Sequence, residues 1–556
     1  MINVNEKDVR SRAFLFPKHI VWTQGQVENS QMLLVKREHQ ISLSAHEPCV
    51  MRSTQNNKAS ILLDYGTEIH GGVRILVWES TLKEAKLRIR FGESVSEAMS
   101  ELGGSTNATN DHARRDMIVE VGMMSMNQIG ESGFRFVRID LEESDASISL
   151  KSVCAVLVYK DVPYRGSFQC SDELISRIWE VGAYTVHLNM QEYIWDGIKR
   201  DRLVWVGDMH PEVRAIQAVF GEDDSVQKSL DFIRKETPLP QWMNHMASYS
   251  MWYVMIVYDW FLYTGKKVFI EEQKEYLVGI LNQLSAHIDE KGKDTVIEGR
   301  FLDWPSVGNE KVIDAGVQAL HILATKSLQK IFSVLGDKER VEQCESDLQK
   351  LSYFAQKETD YELSKQAASL LVLAGQKSAN KVNERLLKQG NSKGMSTFMG
   401  YYILSARALA GDYQGCLACI REYWGGMLKL GATTFWEDFD VEWMTNASRI
   451  DELPEDGKVD VHATYGRHCY KGYRHSLCHG WASGVTPWLS EYILGVQILE
   501  AGCKVVKIEP HLGDLDWVKG TYPTPYGEIV VSHKKRENGT IDTNVEAPKE
   551  IMIINQ

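Results

Sequence analysis

The hydrophobic rhythm of the chain changes twice. Up to about residue 165, apolar side chains alternate with polar ones or run β-branched between glycine and polar turns, so 59–65, 72–78, 85–91 and 134–141 predict strands. An antiparallel β-sandwich follows from that spacing. It includes a long loop over 100–115 rich in Gly, Ser, Asn, Thr and charge. After Tyr164-Arg165-Gly166-Ser167-Phe168 the period becomes helical. Apolar residues recur at helix spacing over 173–190, 210–220, 225–235, 250–264, 271–287, 312–335, 338–356, 361–373, 379–387, 399–409, 414–427 and 482–499. Short connections favour antiparallel neighbours, and about a dozen helices suit a barrel of six helical hairpins. A solenoid of hairpins fits that count as well, but no repeat of fixed period supports it. From about Val506 strand character returns at 517–522 and 527–533, across a Pro523-Thr524-Pro525-Tyr526 turn, with a last strand at 551–554 and a polar tail over 534–549. The expected architecture is multidomain α+β: an N-terminal antiparallel β-sandwich over 1–165, an α/α six-hairpin barrel over 166–505 and a small C-terminal β domain over 506–556.

Composition narrows the partners. The 556 residues exceed what one core can hold. With 62 basic and 75 acidic residues the formal charge is −13, which argues against a nucleic-acid or anionic-membrane partner. No run approaches about eighteen uninterrupted apolar residues, and the opening residues 1–8 lack an apolar signal core. The expected location is the cytoplasm. Nine cysteines, an odd number scattered along the chain, read as reduced thiols. Cys416 and Cys419 form a Cys-x-x-Cys within a helical stretch and have no second pair, so buried thiols are expected there rather than a metal or redox site. Neither metal nor cofactor is expected. The 15 tryptophans and 22 tyrosines suit sugar recognition and core packing alike.

One run breaks the helical pattern. Asp196-Gly197-Ile198-Lys199-Arg200-Asp201-Arg202-Leu203-Val204-Trp205-Val206-Gly207-Asp208 packs three carboxylates, three cations, a tryptophan and two glycines into a loop entering a helix. Charges at that density must pair or shift their pKa values, an arrangement kept most often at catalytic sites. A second acidic run, 431–443, also lies beside tryptophan. Two carboxylate clusters converging on one rim of a helical barrel are what glycoside hydrolysis needs. One acid protonates the leaving oxygen, and one carboxylate activates water or attacks the sugar. Each residue also has a purely structural reading. Asp208 stands where an N-cap would, Asp201 could pair with Arg200 or Arg202 at the surface, and Glu437 could belong to a solvated turn with Asp438, Asp440 and Glu442. Trp205, Trp252 and Trp304 are residues of a kind more often found in the core than as sugar platforms, and His479 could bond only its own turn. The residues alone point to a six-hairpin helical enzyme acting on a sugar.

Four motifs in order resemble those of the α-L-rhamnosidases of glycoside hydrolase family 78. The run 196–208 is similar to the family signature, in which an Asp and a Cys-Pro or Gly-Pro precede Arg, an acidic residue and Arg-x-x-Trp-x-Gly-Asp. Gly431-Ala432-Thr433-Thr434-Phe435-Trp436-Glu437 is similar to the family's second acidic motif, and 476–484 and 510–515 to stretches near its C-terminal end. The resemblance implies that the barrel is catalytic and inverting, with Asp201 as general acid and Glu437 as general base. It implies that Asp196, Arg200 and Asp208 hold rhamnose, that Trp205 is the signature tryptophan, and that His479 lines the same subsite. Trp252 and Trp304 would be aromatic walls around the methyl-bearing face of the sugar. Asp201 stands where many members have Glu, and Ile198 where most have Pro. No separate calcium-dependent carbohydrate-binding module is expected. The partner is then a rhamnoside, with no nucleic acid and no membrane, and with homodimerisation left open. The alternatives are an exo-glycosidase of the same fold for a different terminal sugar, or a carbohydrate-binding protein without catalysis.

Overall fold

A computed structural model of the chain describes residues 7–38, 40–43, 47–361 and 363–555; most of the opening run read for a signal, and the side chain of Cys469, lie outside them. The N-terminal domain is one nine-stranded antiparallel sheet closed on its own apolar core, which includes Ile61, Val73, Leu87, Phe134 and Val137. Two of the expected strands, 59–65 and 72–78, are halves of a single strand, Ser60–Ser80. Register shifts between Asp64 and Ile69 and between Gly71 and Val73 let its first half pair with His19–Gln24 and its second with Ala146–Lys160. A strand that changes partners midway is how one sheet folds into two layers.

Six segments of the barrel form a closed inner ring, each touching the next: Met209–Val219, Ala247–Thr264, Glu310–Leu335, Lys365–Leu373, Gly400–Ala408 and 480–493. Around them stand Asp224–Glu236, Lys267–Ser285, Lys338–Lys357, 379–387, Tyr413–Lys429 and Glu173–Asn189. The sequence of each ring explains its place. Ala247–Thr264 buries side chains on all faces, as a helix surrounded by protein must. Asp224–Glu236 buries only Ser225, Val226, Ser229, Leu230 and Ile233, a single stripe, and Asp223 caps it by accepting the Ser225 N–H. Gly265, left-handed at φ 69°, stops Ala247–Thr264.

The last inner segment departs from its expectation. The helix expected over 482–499 ends by Ile493, and left-handed Gly495 turns the chain into the strand Val496–Ile498, which pairs with Val505–Ile508. Three residues, Val496-Gln497-Ile498, fit either period, so the pattern could not separate the two. Met552–Asn555 completes this three-stranded sheet. A second sheet joins Ser167–Cys170, from the entrance of the barrel, to Trp517–Thr524, Gly527–Lys535 and Ile541–Glu546. The stretch expected as a polar tail over 534–549 therefore contains a paired strand. No helix among the described residues is long and apolar enough to cross a membrane. The eight cysteines whose side chains are described are buried and form no disulfide.

Candidate active site

The N-terminal ends of the inner helices meet at one mouth of the barrel. The run 196–208 leads into Met209–Val219, Tyr249 lies in the first turn of Ala247–Thr264, Trp304 precedes Glu310–Leu335, and His479 opens the segment 480–493. Helix N-termini present unpaired N–H groups and partial positive charge, so a rim built from them tolerates buried carboxylates. The mouth encloses about 400 Å³ of empty space, at the small end of ligand pockets. Its lining includes the carboxyls of Asp196, Asp201, Asp208 and Glu437 with the imidazole of His479, and the rings of Trp205, Tyr249, Phe301, Trp304, Tyr470 and Trp481.

The loop 196–208 is tied by its own acids. Asp196 accepts the Leu203 N–H on Oδ1 at 3.0 Å, and its carbonyl accepts the Gly480 N–H at 2.8 Å. Between these ties the chain makes a tight turn in which two consecutive non-glycine residues, Asp201 at φ 57° and Arg202 at φ 56°, are left-handed. Such positions cost on the order of 1–3 kcal/mol each and persist only where neighbours impose them. Lys199 supplies one anchor beneath the turn. Its ammonium lies 3.0 Å from Glu93 and 3.4 Å from Glu97 and donates to the carbonyls of Tyr473 and His475 at 2.7 Å each. Glu93, Glu97 and His462 could each offer a ligand atom to a metal within 4.8 Å of one another, but that ammonium holds the cation's position beside both carboxylates. Gly207 is required by packing: a Cβ there would stand 2.3 Å from the Tyr249 ring.

Arg200 joins the two acidic runs. Its Nη1 is 3.2 Å from Asp201 Oδ1 and its Nη2 is 2.6 Å from Glu437 Oε2, while its guanidinium lies over the Tyr470 ring at 3.7 Å. One planar guanidinium spans both carboxyls, so their nearest oxygens stand no more than roughly 8 Å apart. Burial favours a neutral Glu437, but the charges of Arg200, His479 and His475 outweigh it and hold the carboxyl below its usual range. Burial pushes Asp196 well above the usual range, with Asp201 and Asp208 adding to the rise. Burial also raises Asp208. For His479, burial disfavours the imidazolium, yet the bond to Asp208 and the charges of Glu437 and Asp196 carry its pKa above the ordinary value. The site thus favours the ionised form of one carboxyl and the neutral form of another within one cavity.

Asp208 occupies the N-cap position but makes no capping bond; it accepts from Tyr249 at 2.5 Å and lies 3.2 Å from His479 Nε2. Glu437 is no solvated turn residue, since it is buried and paired. Its neighbour Asp440 instead caps the short helix Val441–Met444, and Asp438 is buried against Arg467; neither lines the cavity. Trp205 and Trp304 do line it. Trp252 does not: it is 0% exposed and packs against Tyr249, Phe398 and Tyr402. Three residues on, it lies about 4.5 Å deeper along the same helix than Tyr249, which takes the wall position instead. Residues that the pattern did not single out are Tyr249, Phe301 and Tyr470 in the lining and His112, whose Nδ1 is 3.0 Å from Asp201. Tyr249 stands beside Trp252 in sequence and could have been suspected; His112 comes from another domain and had no local signal.

A family model described as the bacterial α-L-rhamnosidase six-hairpin glycosidase domain matches residues 163–493. The chain belongs to that family. The model of the family's C-terminal domain matches 495–552. An α-L-rhamnosidase of Formosa agariphila is 23% identical over 466 residues, 75% of this chain and 46% of that protein. The chain therefore spans less than half the length of that relative. Among solved structures, the GH78-family rhamnosidase of Bacillus sp. GL1 has a TM-score of 0.76 at 21% identity, covering 95% of this chain and 55% of that one. The rhamnosidase from Klebsiella oxytoca with rhamnose bound has a TM-score of 0.67 at 17% identity, covering 87% of this chain and 96% of that one. These likenesses place the β domains and barrel of this chain in the rhamnosidase fold.

Proposed function

We propose that the protein is an inverting exo-glycosidase that releases terminal α-L-rhamnose from the non-reducing end of small rhamnosides, with Asp201 as general acid and Glu437 as general base. The observation that carries this reading is the bridge through Arg200, which sets two carboxyls against one cation at the edge of an aromatic-walled cavity. The bound of roughly 8 Å on their separation is compatible with the roughly 6.5–9.5 Å that an inverting pair needs to admit water.

In this mechanism the Asp201 carboxyl gives its proton to the glycosidic oxygen as the bond from that oxygen to the anomeric carbon breaks. Glu437, ionised, takes a proton from the water that attacks the opposite face of that carbon. The products are the free aglycone alcohol and β-L-rhamnose. Asp201 is left ionised and Glu437 protonated, and exchange with solvent resets both. Asp196, Asp208 and His479 supply hydrogen bonds to the sugar hydroxyls, Asp196 as a neutral carboxyl able to donate. Trp205, Phe301 and Trp304 form an apolar wall for the methyl group, where a sugar with one more hydroxyl would leave that hydroxyl unpaired.

A panel of p-nitrophenyl glycosides tests the sugar. Release from the α-L-rhamnoside, with the α-L-fucoside, α-L-arabinoside and β-D-glucuronide silent, is the expected result. Release from one of the others with the rhamnoside silent overturns the reading.

A further inference from the structure

The loop 100–115 of the N-terminal β domain reaches the barrel mouth. His112 Nδ1 stands 3.0 Å from Asp201 Oδ1, the oxygen that Arg200 Nη1 also meets at 3.2 Å. Arg474 Nη2 is 3.4 Å from His112 Nε2. A guanidinium can only donate, so Nε2 is the accepting nitrogen and Nδ1, the nitrogen beside Asp201, carries the hydrogen. Arg474 is itself held: its Nε donates to Asp111 at 2.7 Å, and its carbonyl accepts from Arg200 Nε at 2.7 Å. The carbonyl of His112 accepts from Arg202 Nη2 at 3.0 Å. His112 thus grips both left-handed residues of the turn, Asp201 through its ring and Arg202 through its backbone.

From this geometry we infer that His112 is a positioning residue for the general acid, an inference that rests on the role given to Asp201 above. An aspartate reaches less far than a glutamate, so the orientation of its carboxyl must be imposed. The His112 ring and the Arg200 guanidinium crowd Oδ1 at 3.0 and 3.2 Å, which leaves the transferable proton to Oδ2, where the Tyr470 hydroxyl lies at 3.3 Å. The N-terminal domain thereby completes the catalytic site instead of merely abutting it.

The test separates steps that need an acid from steps that do not. A p-nitrophenolate leaves with little help, whereas an alkoxide leaves only when protonated. Wild type, His112→Ala and His112→Asn are compared on p-nitrophenyl and methyl α-L-rhamnoside, with melting temperatures taken alongside. The asparagine amide can present an N–H where Nδ1 stood. For His112→Ala the expected loss in kcat is about ten- to a hundredfold on the methyl glycoside, a part of what a general acid contributes. On the p-nitrophenyl glycoside the loss should stay below about threefold, and His112→Asn should recover most of the activity lost. Equal losses on both substrates, or no loss on either, overturn the inference while leaving the rhamnosidase reading in place. A folded wild type that hydrolyses neither substrate overturns both.

Discussion

Arg200→Met removes a cation that touches both acids while keeping an apolar stem of similar length. Burial alone would raise the Glu437 pKa, and Arg200 leads the charges that hold it below the usual range. An opposite charge so near lowers a carboxyl by about 1–3 units, and each unit is worth about 1.4 kcal/mol. The acid limb of the kcat/KM profile should therefore move up by about 1–3 units in the variant. Breaking a buried pair on one side costs about 3–5 kcal/mol of stability. The pH dependence of stability should also become shallower. In the wild type the folded pKa of Glu437 is below its unfolded value, so the pairing stabilises the fold above the ordinary carboxylate range and is lost as pH falls through the folded pKa. In the variant the folded pKa moves up toward the unfolded value, so less stability is lost as pH falls through that range. The assays are kcat/KM on p-nitrophenyl α-L-rhamnoside from acid to neutral pH and urea unfolding over the same range. An acid limb that does not move would refute the reasoning, even if activity dropped.

The other predictions bear on neighbours of the site. Trp252→Ala should cost about 3–5 kcal/mol in urea unfolding, as a large core deletion does, yet change KM for the rhamnoside less than about threefold, because a layer of side chains separates it from the cavity. Trp304→Ala should behave in the opposite way, raising KM by about tenfold, the scale of one lost apolar contact, with a melting temperature close to wild type. Lys199→Met strands Glu93 and Glu97 without their cation; unfolding should show a loss of about 3–5 kcal/mol.

How far the sequence foretold this molecule depends on the range of the interactions involved. Long helical stretches such as those expected over 250–264 and 312–335 read correctly, to within three residues at their starts, because burial imposes one period along the whole helix. Val496–Ile498 misled because three residues cannot distinguish periods, and a glycine, not the pattern, ends the helix. The strand Ser60–Ser80 looked like two because a change of partner, which depends on the rest of the sheet, interrupts its alternation. Within the site, Asp196, Arg200, Asp201 and Asp208 were legible as an excess of charge where apolar sequence was due, and Glu437 as a second such excess. Trp252 and Tyr249 share a helix face one turn apart, and only the depth of the cavity decides which ring reaches it. His112 and Lys199 act through contacts between domains, with Asp201 and with Glu93, that no local pattern encodes.

The most direct test of the central claim is the anomer released. Proton NMR of methyl α-L-rhamnoside hydrolysis, in which the leaving alkoxide must be protonated, should show β-L-rhamnose appearing first and then mutarotating, with Asp201→Asn and Glu437→Gln each slowed by about a hundredfold or more, the usual scale for a general acid or base. First appearance of the α-anomer, or full activity in either amide variant, would contradict an inverting mechanism carried by these two residues.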